Sequence, residues 1–255
     1  MKPSELPQLG IITNPDKDMG ALFARYDGLV ARRNVLCVGY SEAEVEQLVE
    51  PYSPKRITCL TNWVEHSDAN VKKYDLVIGD LCGTVDIADH SFDTILLLSV
   101  FEHLSDVPAA FRELERLVKP GGLIATLFGP AWSCAYGHHC YANPSDPNLN
   151  FVLWQMPAHI HLLCSSDEIG EWYAAKGYTK DQIKNVLHWF FETPVINRVF
   201  FDDYMRFTSA QFQIVASEVM YIHLPGAHLA RLRQRYPGHL DFASYGGKFL
   251  LRAQD

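Results

Sequence analysis

The chain has 255 residues, a formal net charge of -8 at pH 7 and hydrophobic residues at 48% of its positions. This length suits one large α/β domain, or one domain with a sizeable insertion. The acidic balance argues against nucleic acid or an anionic membrane as the main partner. No terminal segment resembles a membrane span or a signal peptide, so we expect a cytoplasmic protein.

The first third of the chain alternates predicted strands with predicted helices. Residues 1–33 are polar and predict a helical lead-in, with a helix over Met19–Arg32. The predicted strands that follow are Asn34–Gly39, Ile57–Leu60 and Tyr74–Gly79, with helices over Glu42–Val49 and up to about Lys72. This alternation predicts a doubly wound parallel sheet.

The sequence of residues Phe92 to Pro130 predicts one complete βαβ unit. The uninterrupted apolar run Thr94–Leu98 is typical of a strand buried on both faces. Apolar residues spaced by three and four between Asp106 and Val118 predict an amphipathic helix, with Ser105 or Asp106 as its N-cap.

The end of this unit predicts where ligands bind. Pro120, Gly121 and Gly122 predict the end of the helix and a turn into a parallel strand over Leu123–Phe128. Such units bind ligands beyond the carboxyl ends of their strands, which points to Ser99–His103 and to Gly129–Tyr141.

After Phe128 the alternation stops for more than thirty aromatic-rich residues, and we interpret about 130–164 as a cap over the pocket. Ser165 or Ser166 predicts the start of a helix that Gly177 closes. A second insertion, partly helical, is predicted at about 186–210. The last predicted elements are strands over Phe212–Leu224 and Lys248–Arg252, with a helix over Ala227–Arg235 between them.

The segments FDTILLLSVFEHL and FRELERLVKPGGLI resemble the second half of class I S-adenosylmethionine-dependent methyltransferases, especially small bacterial enzymes that act on sugars, lipids and natural products. The resemblance extends over about Asn34–Phe128. It implies a seven-stranded Rossmann-like sheet with an antiparallel edge hairpin, a domain over 34–255 with inserted cap segments, and S-adenosylmethionine as cofactor.

In this family the first strand normally ends in an acidic residue followed by alternating glycines. Here Cys37 replaces the acid and Gly39 is the one glycine that remains, while Asn62 stands near the position of the ribose-binding acid. Asp80 matches the residue that reaches the adenine amino group, although it also suits a helix cap. The resemblance implies cofactor contacts by Gly39, Tyr40, Ser41, Asn62, Asp80, Leu81, Ser99 and His103.

A second constellation, GPAWS, then GHH, then HLL, resembles a subgroup tied to polysaccharide or secondary-metabolite pathways. A hydroxyl acceptor needs a base, and histidine suits that task. His138 and His139 are our candidate bases, with His161 as an orienting group or alternate base. We expect substrate contacts by Trp132, Tyr136, Tyr141 and Trp154. The alternative is that all these side chains only pack the cap.

A metal site is a further alternative, since His138, His139, Cys140, His159 and His161 offer three or four ligands. Their spacing matches no closed zinc motif, so we assign no metal. The six cysteines form no CxxC pair and predict reduced thiols.

Three functions follow from these patterns. The first is methyl transfer from S-adenosylmethionine to a hydroxyl or amine of a sugar or natural-product intermediate. The second is an elimination or ring closure without that cofactor, driven by a histidine base. The third is a non-catalytic partner that docks through Val186–Phe207. We expect a small-molecule substrate, and both a homo-oligomer and a hetero-oligomer stay open.

Overall fold

A computed structural model describes residues 1–9, 28–62 and 73–254. Its central feature is a seven-stranded sheet of order β3-β2-β1-β4-β5-β7-β6. The pairs among β1 to β5 are parallel, and β7 runs antiparallel to β5. The predicted α/β sheet with an antiparallel edge is therefore confirmed. The strands are β1 Asn34–Val38, β2 Arg56–Thr61, β3 Asp75–Ile78, β4 Phe92–Leu98, β5 Val118–Phe128, β6 Phe212–Tyr221 and β7 Ser244–Ala253.

The helices of the described residues follow most of the predicted positions. They are α1 Glu42–Leu48, α2 Val107–Leu117, α3 Ile160–Leu163, α4 Ser166–Ala175, α5 Lys180–Phe191, α6 Phe201–Gln211 and α7 Gly226–Arg235. The helix predicted over Met19–Arg32 lies mostly outside the described residues, and residues 28–32 form turns and bends instead. The helix predicted up to Lys72 also lies outside them. None of the helices in these described ranges is both long and apolar enough to cross a membrane.

Contacts between residues divide the described chain into two compact units. The sheet unit comprises residues 28–62, 73–128, 205–218 and 247–254. The insertion unit comprises residues 1–9, 129–204 and 219–246. The boundary predicted at residue 34 and the predicted insertion limits stay predictions.

The core of the sheet unit lies along β1, β4 and α2. Leu36, Ile95 and Leu96 are fully buried, as expected of strands covered on both faces. The apolar stripe of α2 is fully buried too, and its Phe111 ring lies 4.9 Å from that of Phe101. Each such side chain contributes about 1.5–3 kcal/mol relative to an exposed one.

The boundary between α2 and β5 differs from the prediction. Asp106 is the N-cap, and its carboxylate accepts from the Ala109 amide at 2.9 Å. The helix ends at Leu117 and β5 begins at once, because Val118 already pairs with Phe92. The next pair in register joins Leu123 to Thr94, so residues 119–122 bulge out of the ladder. The Pro-Gly-Gly sequence thus forms a bulge within a strand and not the end of the helix.

The insertion unit has its own core, built from the segment after β5 and from α3, α4 and α5. Ser165 caps α4, with its hydroxyl accepting from the Glu168 amide, and Gly177 follows the helix with φ of 88°. The segment predicted as a second insertion is partly helical, as expected, with the end of α5 and nearly all of α6 on either side of an irregular stretch. The largest buried side chains of this core are Tyr136, Tyr173 and Phe190.

Candidate functional site

The parallel strands of the sheet unit end in one row. Val38 of β1 pairs with Leu60 of β2 on one side and with Leu97 of β4 on the other. The predicted cofactor residues Tyr40, Asn62 and Ser99 each lie within two residues of the end of one of these strands. The strand order reverses between β1 and β4, which is where α/β sheets of this kind bind ligands.

Gly39 forms the turn after β1 and has φ of +76°. A Cβ atom there would lie 2.6 Å from the Leu98 carbonyl oxygen and 2.5 Å from Val100 Cγ2. No other residue type fits this position without displacing the end of β4. The one glycine that the sequence keeps is therefore the one that the turn requires.

Tyr40 carries a buried hydroxyl that has no hydrogen-bond partner among the described residues. Burial, with smaller effects from Cys37 and Glu44, raises its pKa far above the usual value, so the hydroxyl stays a neutral donor. An unpaired buried hydroxyl costs about 1–3 kcal/mol, and a ligand that accepts from it would remove that cost.

Ser41 has a structural task in addition to its predicted one. Its hydroxyl accepts from the Glu44 amide at 3.3 Å and lies 2.7 Å from Glu44 Oε2, which also accepts from the Ser41 amide at 2.7 Å. This reciprocal arrangement is a capping box at the start of α1. Glu44 therefore engages both polar hydrogens of Ser41.

Asp80 follows β3 and is exposed. Its Oδ1 accepts from the Cys82 amide at 2.9 Å, so the turn uses one carboxylate oxygen. Leu81 beside it is 4% exposed. The remaining predicted cofactor residues, Asn62, Ser99 and His103, are exposed. Asn62 and Ser99 directly follow β2 and β4, His103 ends a short 3₁₀-helix over Phe101–His103, and Ser99 has φ of 52°.

These groups fit S-adenosylmethionine in most respects. The close turn at Gly39, the unpaired Tyr40 hydroxyl and the Asp80 carboxylate suit a nucleoside that carries an amino-acid tail. Cys37, buried in β1, and Asn62 supply no negative charge. Asp80 would hold the adenine and Asn62 the ribose, as the resemblance implies, and these assignments stay predictions.

The insertion unit holds the predicted catalytic histidines, and residues 131–140 are all buried. His138 is fully buried, and its Nδ1 accepts from the Cys140 amide at 3.0 Å. Burial, reinforced by His161, lowers its pKa well below the usual value. His139 is 8% exposed and donates through Nδ1 to the Gly137 carbonyl at 3.0 Å.

His161 lies beside His138, with 5.1 Å between the ring centroids. Its Nε2 donates to the Trp132 carbonyl at 2.8 Å, and burial lowers its pKa to about 4. The structure thus brings together His138, a candidate base, and His161, predicted as an orienting group or alternate base. Their catalytic roles stay predictions.

The four predicted substrate residues have different surroundings. Trp132 is buried, with the guanidinium of Arg198 5.3 Å from its ring centroid. The Tyr136 hydroxyl donates to the carbonyl of Leu9 in the core of the insertion unit. Trp154 is half-buried against Tyr136, and Tyr141 is 48% exposed.

One histidine of this unit was missed from the sequence. His228, on α7, is buried and hydrogen-bonded to His159 at 3.0 Å. Its arginine-rich neighbours in the sequence gave no signal of burial. Across the ranges that the structure describes, no group of three or more His, Cys, Asp or Glu side chains is arranged to hold a metal ion. All six cysteines are free thiols.

Comparison with known proteins shows a family similarity over part of the chain. Residues 22–126 match the model of a methyltransferase domain. No curated protein matches the chain. The fold is similar to that of a chain in the Haloferax volcanii complex between the Trm112 methyltransferase activator and a candidate methyltransferase. That pair shares 14% identity over 94% of this chain and 91% of that one, with a TM-score of 0.53.

Two further solved structures share this fold. The S-adenosylmethionine-dependent methyltransferase from Mesorhizobium loti is 12% identical over 93% of this chain and 98% of that one, with a TM-score of 0.53. The one from Methanosarcina mazei is 11% identical over 91% and 97%, with a TM-score of 0.50. Residues 22–126 are therefore similar to a methyltransferase domain, and the fold is one that solved S-adenosylmethionine-dependent methyltransferases share.

Proposed function

We propose that the protein transfers a methyl group from S-adenosylmethionine to a hydroxyl or amine of a small acceptor, such as a sugar or natural-product intermediate. The observation that carries this proposal is the methyltransferase-domain match over residues 22–126, which includes every strand end of the candidate cofactor edge. When bound, S-adenosylmethionine supplies an electrophilic methyl group on a sulfonium.

The candidate residues of each unit offer different chemical groups. At the sheet edge, Gly39 permits the close turn, Tyr40 offers a neutral donor, and Asp80 offers a carboxylate. In the insertion unit, the histidines offer a base for the acceptor, and Trp132, Tyr136, Tyr141 and Trp154 offer its aromatic surroundings. Most of the rate acceleration comes from holding acceptor and methyl group in line.

A partner subunit is compatible with this proposal, because the similar Haloferax volcanii chain was solved with an activator protein. The missing carboxylates at Cys37 and Asn62 favour a second candidate, an elimination or ring closure that does not use S-adenosylmethionine. One binding experiment separates the two functions.

The experiment is calorimetric titration with S-adenosylmethionine and S-adenosylhomocysteine of the wild type, Asp80→Asn and Asp80→Ala. The asparagine variant keeps an oxygen that accepts from the Cys82 amide and removes only the charge. We expect micromolar binding to the wild type and a loss of tenfold or more in both variants, as for a hydrogen bond to a charged group.

Asp86→Asn is the matched control, since Asp86 is an exposed acid on the same loop. It should bind like the wild type. Absence of binding up to millimolar ligand would overturn methyl transfer by this chain alone and favour the second candidate. A weakened Asp80→Ala beside an unchanged Asp80→Asn would show that Asp80 only holds the turn.

A further inference from the structure

We propose that His138 and His161 form a binding site for a hydroxyl group, in which His138 Nε2–H donates to the hydroxyl oxygen and His161 Nδ1 accepts the hydroxyl proton. This inference rests on the proposed function, because it selects a hydroxyl and not an amine as the methyl acceptor. It also gives the two histidines distinct tasks.

The hydrogen bond of His138 fixes its tautomer. The Cys140 amide is a donor, and it points to Nδ1 of His138 at 3.0 Å. A neutral imidazole whose Nδ1 accepts carries its proton on Nε2. That Nε2–H is buried and has no acceptor among the described residues.

In His161 the unpaired nitrogen is an acceptor and not a donor. Its Nε2 lies 2.8 Å from the Trp132 carbonyl oxygen, which only accepts, so Nε2 carries the proton. Nδ1 is then a bare lone pair. It is buried and has no donor among the residues that the structure describes.

One unpaired donor and one unpaired acceptor therefore belong to neighbouring rings, whose centroids are 5.1 Å apart and whose planes are inclined by 73°. The side chains are 0% and 5% exposed. Each unpaired atom is a buried polar group that has lost its water without gaining a partner, which destabilises the site when it is empty. A hydroxyl both donates and accepts, so one bound hydroxyl satisfies both atoms.

The surroundings favour an organic hydroxyl. The Trp132 ring lies 4.5 Å from the His161 ring, and the Phe190 ring lies 4.3 Å from the His138 ring. These aromatic neighbours suit an apolar body attached to the hydroxyl.

The chemistry of the step also selects oxygen. A hydroxyl oxygen has two lone pairs, so it can accept from His138 and still attack a methyl carbon, whereas an amine nitrogen has only one. In the reaction the O–H bond breaks, its proton passes to His161 Nδ1, and its electron pair stays on the oxygen. A lone pair of that oxygen forms the new C–O bond, and the pair of the broken C–S bond stays on sulfur.

The test uses phenol and aniline, two neutral probes of nearly the same shape, and histidine ¹⁵N resonances as the readout. Phenol should shift the resonances of His161 Nδ1 and His138 Nε2 in a saturable way. Aniline should bind about tenfold or more weakly, because its delocalised lone pair is a poor acceptor.

Two variants keep the structural hydrogen bonds and remove the unpaired atoms. His161→Gln keeps a donor for the Trp132 carbonyl, and His138→Asn keeps an acceptor for the Cys140 amide. Each should weaken phenol binding about tenfold, whereas the exposed control His223→Gln should not change it.

The site would be overturned by wild-type resonances that phenol does not move, by aniline binding as tightly as phenol, or by unchanged phenol binding in both folded variants. The comparison of the two probes on the wild type remains decisive even if a variant does not fold. None of these outcomes depends on S-adenosylmethionine, so failure of the cofactor titration is separate from failure of this site.

Discussion

Nε2 of His228 lies 3.0 Å from Nδ1 of His159, and both imidazoles are buried in the insertion unit. Nε2 of His159 in turn donates to the Phe242 carbonyl at 3.0 Å. Because a carbonyl only accepts, His159 must receive a proton at Nδ1, and His228 must donate it. The pair therefore connects α7 to the start of α3.

We expect His228→Ala to lower the free energy of unfolding by about 1–3 kcal/mol, because it leaves Nδ1 of His159 buried without a donor. His228→Gln should recover part of this loss, since its amide can still donate. Urea denaturation measures both, with the exposed His223→Ala as the control. Equal losses for the alanine and glutamine variants would contradict the importance of this hydrogen bond.

Acid should destabilise the protein before its carboxylates titrate. Burial lowers the pKa of His138 and His159 well below the ordinary value and that of His161 to about 4. Between those values and about 6.5, the unfolded chain binds more protons than the folded one, so stability falls as pH falls through this window.

Above about pH 7 these histidines should not make the free energy of unfolding depend on pH, because they are neutral in both the folded and the unfolded chain. Unfolding midpoints measured in urea between pH 5 and 7.5 check the prediction, and His161→Gln should reduce the slope. A midpoint that does not change from pH 7.5 to pH 5 would show that these histidines are not buried in the folded protein.

Gly39→Ala should impair both stability and cofactor binding. The new Cβ would lie 2.6 Å from the Leu98 carbonyl oxygen, at a residue with φ of +76°. We expect a loss of about 1–3 kcal/mol in the free energy of unfolding. Gly83→Ala is the matched control, because its Cβ would meet only Asp80 O at an ordinary 3.6 Å. Equal thermal midpoints for the two variants would contradict the prediction that the turn after β1 requires glycine at residue 39.

Ser41→Ala should cost about 0.5–2 kcal/mol of stability through loss of the N-cap. Ser41→Asp restores a capping acceptor for the Glu44 amide but cannot donate as a hydroxyl does. Thermal unfolding and S-adenosylhomocysteine titration of both variants distinguish the capping of α1 by Ser41 from its predicted contact with the cofactor. If the aspartate variant recovers stability and binding together, then Ser41 serves the cofactor only by holding the start of α1.

Local patterns were sufficient to locate the strands of the sheet but not all of their ends. The continuous apolar run at Thr94–Leu98 and the capping signal at Asp106 each depend on residues close in sequence, and the structure has both. The start of β5 was wrong by five residues, because the pairing of Val118 with Phe92 joins residues far apart in sequence and outweighs the local Pro-Gly-Gly signal.

The candidate sites also have one part that a sequence pattern can locate and one part that depends on packing. The row of Tyr40, Asn62 and Ser99 follows from strand ends that a sequence pattern can locate. The contrasting tautomers of His138 and His161 depend on the carbonyl of Trp132 and the amide of Cys140, and so on how residues up to 29 positions apart pack. A sequence pattern finds the histidines but not the nitrogen that carries each proton.

The edge-on contact between Trp132 and His161 has an optical consequence. Protonated imidazole quenches indole fluorescence, and the two ring centroids are 4.5 Å apart. The emission of Trp132 should therefore brighten when His161 loses a proton. A stopped-flow fluorimeter could then follow the charge state of this histidine in real time, without a label attached to the protein.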